Sequence, residues 1–195
     1  MSQSRDTPRS EPAHAAFTIV RMTRTILLEA ATKVLARVLL PVAVLRHRGA
    51  ARHHAAQWAL GLRFPRESLA GLHPTTRRAF EAARAEAFWR DGQLIGLTSG
   101  HRDAAEQYRL YKDAVRSAGS HQEARRWVLP PHESSHVQGT ALDVRPSEGA
   151  AWLERNGDKH KLYRRYDNEP WHFELCATRP ARQPHPGAAP VRRSC

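Results

Sequence analysis

The sequence predicts an α+β domain, a small antiparallel sheet flanked by helices, and three observations carry that reading. Residues 94–98 (Leu-Ile-Gly-Leu-Thr), 140–144 (Thr-Ala-Leu-Asp-Val) and 170–175 (Pro-Trp-His-Phe-Glu-Leu) have strand length and strand composition. Between them lie segments with helix-cap signals and apolar stripes at helical spacing. The connections are too short for repeated strand–helix–strand crossovers, which rules against a parallel sheet.

The elements follow in order. Residues 1–25 read as a disordered N-terminus, polar and punctuated by Ser, Arg and Pro. Residues 26–65 read as an amphipathic helix and a basic linker. In the helix, 26–45, Glu29, Lys33 and Arg37 stand at successive i, i+4 steps, while Leu27, Leu28, Val34, Leu35, Val38 and Leu39 cover the other sides. Three charges near mid-span argue against a plain transmembrane helix, and no small-residue cleavage site marks a signal peptide. Two readings stay open, a helix lying in a membrane interface and a helix packed on the body; an uncleaved anchor is less favoured. The linker carries Arg46, His47, Arg48, Arg52, His53 and His54; the paired histidines have no partner at metal-ligand spacing, so a solvated stretch is expected.

The folded body spans residues 66–178. His73-Pro74-Thr75 opens a helix with proline at its first position, Phe80, Ala83, Ala87 and Phe88 line its apolar side, and Gly92 closes it. Ser99-Gly100-His101-Arg102 is the turn leaving the first strand. Asp103 then caps a second helix with Glu106 at N3, which ends at Gly119. Ser120 caps a short third helix reaching Trp127, and Pro130-Pro131 leads into a loop around His136. Ser147 caps a helix holding Trp152 and Leu153; residues 158–165 read as a charged loop before the closing strand. Residues 179–195 form a Pro/Arg-rich tail.

The formal net charge is +12, and its location decides what it means. The body is nearly neutral, with 17 Lys/Arg against 16 Asp/Glu over 66–178, so the surplus sits in the flanks. Basic flanks suit anionic membrane or wall surfaces. No aromatic-and-basic platform accompanies them, so no specific nucleic acid is expected. The two cysteines, Cys176 and Cys195, make no disulfide framework, and a bridge between them is not expected.

The chemistry concentrates in two stretches, 134–143 (Ser-Ser-His-Val-Gln-Gly-Thr-Ala-Leu-Asp) and 169–172 (Glu-Pro-Trp-His). His136 and His172 offer imidazole nitrogens and Asp143 a carboxylate oxygen, a first shell suited to one catalytic Zn2+ with a coordination position left open. Gly139 lets the loop turn so that His136 and Asp143 reach one point. Glu169, three residues before His172, is placed to act as general base. Ser134 is a candidate for a supporting or substrate hydrogen bond. Arg102 is a candidate for stabilising a developing oxyanion or clamping a carboxylate. Trp171 is most simply core, and His101 has no matching partner.

Taken together, Ser99-Gly100-His101-Arg102 with Gln107 and Tyr111, the Ser134–Asp143 motif and Glu169-Pro170-Trp171-His172 resemble the zinc D-alanyl-D-alanine carboxypeptidases and dipeptidases of the VanY/VanX type. The family patterns are S-G-Y-R, S-x-H-x-x-G-x-A-x-D and E-x-W-H. The resemblance covers the body and implies a Hedgehog/D-Ala-D-Ala-peptidase-like fold. It implies His136, Asp143 and His172 as zinc ligands, Glu169 as general base, Arg102 at the scissile carbonyl, and Gln107 supporting the turn. Ser134, Trp171 and His101 would contact substrate or stand behind the ligands. The implied substrate is a peptidoglycan stem peptide ending in D-Ala-D-Ala, cleaved as a D,D-carboxypeptidase. An endopeptidase with the same site and a non-catalytic zinc-containing wall-binding module are the alternatives. A wall substrate would place the protein at the cell envelope, with residues 26–45 as the candidate membrane contact. Two departures stand out: His101 replaces the family's Tyr, and residues 160–168 lack the usual Tyr-Gly-Phe and are basic.

Overall fold

A computed structural model describes residues 11–188, with side chains from Met22 onward. Its order is α1 (Glu11–Arg46), α2 (Ala51–Arg63), α3 (Pro74–Asp91), β1 (Gly96–Ser99), α4 (Ala104–Ala118), α5 (His121–Ala124), β2 (Ala141–Arg145), α6 (Ser147–Asn156), β3 (Leu162–Arg164) and β4 (His172–Leu175). The four strands form one sheet in the order β1-β2-β4-β3, every neighbour antiparallel. The α+β class expected from the sequence is what the chain adopts.

The strand period sorts the sheet into two faces. Leu142 pairs with Phe173, and both are fully buried with Leu97, Val144 and Leu162 against Phe80, Ala83 and Ala87 of α3 and Ala150 and Leu153 of α6. The alternate positions, Asp143 paired with His172 and Ala141 with Glu174, point to the other face. A hydrophobic core lies on one side of the sheet and a set of ionisable groups on the other.

The other side of α3 carries a second core. Ala85 and Phe88 pack with Ala36 of α1 and Ala56, Ala59 and Leu60 of α2. Glu67, between α2 and α3, accepts from the buried Arg84 and, at 2.7 Å, from the Leu97 amide, so one carboxylate fastens the helices to β1. The layers run α1/α2, then α3, then sheet, then the ionisable face.

Several elements differ from expectation. The basic linker is helical over Ala51–Arg63 because Ala51, Ala55, Ala56 and Ala59 give it a small-residue face that fits closely against α1 and α3. The first helix begins at Glu11, not Ile26; residues 1–10 lie outside the described residues. β3 falls within the stretch read as a loop, a three-residue edge strand paired only with β4. Residues 179–188, read as tail, are tied to the body: Arg179 pairs with Asp158, Arg182 with Glu154, and the Gln183 backbone donates to the Arg165 carbonyl and accepts from the Asp167 amide. Residues 189–195 lie outside the described residues. Cys176 is buried; the bridge weighed between it and Cys195 involves a residue outside the described ones.

Candidate metal centre and catalytic cleft

His136, Asp143 and His172 converge, each offering one ligand atom within 4.8 Å of the others. All three are buried. The Asp143–His172 register pair puts two of them side by side on β2 and β4, and the loop before β2 delivers the third. Gly139 makes that loop possible: its φ is +69°, and a Cβ there would stand 2.7 Å from the Gly71 carbonyl and the His73 amide.

The ring orientations are fixed from behind. His136 Nδ1 lies 2.6 Å from the Gly100 carbonyl, which can only accept, so Nδ1 carries the proton and Nε2 turns its lone pair to the site. Burial lowers the pKa of His136, favouring that neutral ring. Its Nε2 then faces Asp143 Oδ2 at 3.3 Å, two acceptors aimed at one space. His172 has Nε2 3.2 Å from Glu174 Oε1 and Nδ1 3.0 Å from Asp143 Oδ1. Burial disfavours its cation, but the Asp143 and Glu174 carboxylates outweigh burial and push its pKa up to about 10. Burial disfavours the Asp143 anion, but the surrounding His136 and His172 imidazoles outweigh it and hold its carboxyl well below the usual carboxylate range. This pocket stabilises positive charge, and two imidazole nitrogens with one carboxylate oxygen form a donor set that suits zinc. The residues present therefore fit the ion that the motifs imply.

Glu169 sits at the rim of this centre, its Oε2 3.8 Å from His172 Nδ1 and its side chain nearly enclosed. Desolvation, helped by the nearby Asp143 and Glu174 charges, raises its pKa to about 7. Arg102 donates from Nε to Ser99 Oγ (2.9 Å), from one terminal nitrogen to Gln107 Oε1 (3.2 Å) and from the other to Asp143 Oδ2 (2.8 Å). Three of its five N–H groups are thereby engaged, leaving one on each terminal nitrogen. Gln107, itself buried, is anchored through Nε2 on the Leu129 carbonyl at 2.8 Å.

These groups line a cleft of about 330 Å³ walled by Leu110, Trp127, Leu129, Tyr166 and Trp171. Trp171 is a half-exposed cleft wall, not core, because the turn before β4 swings it outward. Ser134 lines the cleft, but the hydroxyl reaching the carboxylate behind His172 is that of Ser135, which donates to Glu174 Oε1 at 2.8 Å. His101 is exposed and packs over Gly71, where any side chain would strike its ring; it is not among the cleft-lining residues. Glu174, Ser135 and Tyr166 escaped the sequence reading. Glu174 stands two residues after His172 on one strand, so period-two alternation points both side chains to one face, a signal present in the sequence.

The family model of VanY, D-alanyl-D-alanine carboxypeptidase, matches residues 70–178. A D-alanyl-D-alanine carboxypeptidase of Enterococcus faecalis (strain ATCC 700802 / V583) is 29% identical, over 52% of this chain and 46% of that protein. The chain thus spans just under half the length of this relative. Among solved structures, a mutant of the vancomycin resistance D,D-pentapeptidase VanY from a VanB-type cassette, in complex with Zn(II), is 24% identical with a TM-score of 0.49, covering 56% of this chain and 76% of that one. DacB from Streptococcus pneumoniae is 24% identical with a TM-score of 0.45, covering 55% and 68%. The matched residues include every group that meets at the cleft floor from Arg102 to Glu174, and the chain belongs to the VanY family of D-alanyl-D-alanine carboxypeptidases.

Proposed function

We propose that the chain is a zinc-dependent D,D-carboxypeptidase that removes the terminal D-Ala from peptidoglycan stem peptides. The observation that carries this is the enclosed Glu169 carboxylate beside the His136–Asp143–His172 centre, with Arg102 on the same cleft wall. One zinc ion held by those three ligands would supply Lewis-acid polarisation of a carbonyl and a lowered pKa for water.

The chain's own residues do the rest. Glu169, its pKa lifted to about 7, can take a proton near neutral pH and return it to a leaving amine. Arg102 is held rigid by Ser99, Gln107 and Asp143, and its two remaining N–H groups can meet the oxygen that gains charge or a peptide's terminal carboxylate. Apolar walls at Leu110, Trp127 and Trp171 flank a small side chain and strengthen these polar contacts by limiting water.

The test is mass spectrometry of a defined stem pentapeptide after incubation with the purified chain, with and without a chelator. Loss of one D-Ala, abolished by the chelator and restored by zinc, is the expected result. Cleavage inside the peptide would replace this reading with the endopeptidase, and metal loading without any hydrolysis would leave a non-catalytic zinc module.

A further inference from the structure

The outer face of α1 is an exposed apolar stripe that the peptidase reading leaves unused. Thr32, Ala36 and Ala43 are buried against the helices behind. At roughly 100° per residue, Leu27, Val34, Val38 and Leu45 fall on the opposite side. They are 63%, 59%, 65% and 81% exposed. Ala30, Ala31, Pro41 and Val42 extend the same face, which runs for about 27 Å along the axis. An exposed apolar stripe of this length marks a contact surface.

Its charge surroundings select the partner. Arg37 lies on one flank of the stripe, Arg24 and Arg46 on the other, each roughly 60–100° around the helix. Residues 22–66 hold eight Lys/Arg and one acid, Glu29. Among the described residues, the only ion pair in this segment is the one His53 makes with Glu81. Two copies meeting through this face would bring like charges together. A span across the bilayer is equally unsuited: Glu29, Lys33 and Arg37 interrupt the apolar run, and none of the described helices is long and apolar enough to cross.

We propose that α1 lies flat on an anionic phospholipid surface, with Leu27, Val34, Val38 and Leu45 in the acyl boundary and the flanking arginines at the headgroups. The layering then orients the molecule. α1 packs on the side of α3 away from the sheet, and the cleft is on the sheet's far face. The cleft therefore opens away from the lipid.

The test is flotation of the full chain with vesicles of phosphatidylcholine alone or mixed with phosphatidylglycerol. Binding to the mixed vesicles only, weakened by salt, is expected. The combined variant Val34→Ser, Val38→Ser, Leu45→Ser should lower that binding by roughly tenfold or more while cleaving a soluble peptide at the wild-type rate. Binding unchanged in the variant would reduce the effect to charge alone and overturn the apolar contact. Absence of binding, or a wild-type dimer in gel filtration that the variant dissolves, would overturn the lipid surface. Vesicle binding is read without hydrolysis, so its outcome is separate from that of the peptidase assay.

Discussion

Replacing Glu174 tests whether the carboxylate behind His172 tunes the metal centre. Glu174 Oε1 sits 3.2 Å from His172 Nε2 and accepts from Ser135 Oγ at 2.8 Å, while Oε2 lies 3.7 Å from Arg165 Nε. Its charge holds the Nε2 proton in place and makes the opposite nitrogen a better donor to a cation. In Glu174→Gln the amide oxygen can still accept from both partners, so the ring keeps its orientation and only the charge goes. A charged hydrogen bond exceeds a neutral one by about 1–1.5 kcal/mol, which converts to about a tenfold loss of zinc affinity. Glu174→Ala removes the orientation as well and should approach a hundredfold loss. Competition against a chromophoric chelator at neutral pH measures both, and imidazole nitrogen NMR reports whether His172 keeps its tautomer. Zinc affinity within twofold of wild type in Glu174→Ala would refute the argument, because a residue that orients a ligand cannot be removed without cost to the ligand.

Four further outcomes follow from the geometry. Glu169→Gln should retain zinc while hydrolysis falls by about 10²–10⁴, measured as turnover alongside metal content. In the metal-free protein, Glu169 has its folded pKa raised from 4.5 to about 7, so the folded state holds the proton longer than the unfolded chain does. Its contribution to stability is full below pH 4.5 and lost as pH rises to about 7, so the melting-temperature gap between wild type and Glu169→Gln should widen across that window. Arg84→Ala strands the buried Glu67 charge between α2, α3 and β1 and should cost about 3–5 kcal/mol in denaturant unfolding. Gly139→Ala puts a methyl group against backbone at a positive φ; about 1–3 kcal/mol of strain and weaker zinc binding by His136 are expected from melting and competition assays.

What the sequence made legible was what chemistry marks. Arg102, His136, Asp143, Glu169 and His172 are polar groups in stretches whose neighbours are otherwise ordered by strand or turn signals, and the structure brings them to one cleft. The sheet was readable because Leu142 and Phe173 alternate with Asp143 and His172. Elements made of unmarked residues were not. α2 is packed by alanines, whose small surface gives periodicity little contrast beside the conspicuous Arg and His. β3 is too short to show a period, and its pairing with β4 follows an irregular connection, residues 165–171, that carries no hairpin-turn signal. The hold on residues 179–188 comes from arginine–carboxylate pairs and backbone bonds, which leave no apolar pattern. His101 was drawn toward the site by its neighbour in the motif, yet adjacent residues in a turn leave in different directions, and its ring rests on Gly71.

The pairing of Asp143 with His172 has a consequence for how the protein matures. The two residues are separated by 29 positions in the chain and become neighbours only when β2 and β4 align in one register. A slip of β4 by a single residue would turn His172 toward the hydrophobic layer while Asp143 kept its face, and so would scatter the donors. Tight metal uptake is therefore a readout of correct strand alignment, and any chain trapped with the strands misaligned should be distinguishable by its failure to retain zinc during refolding.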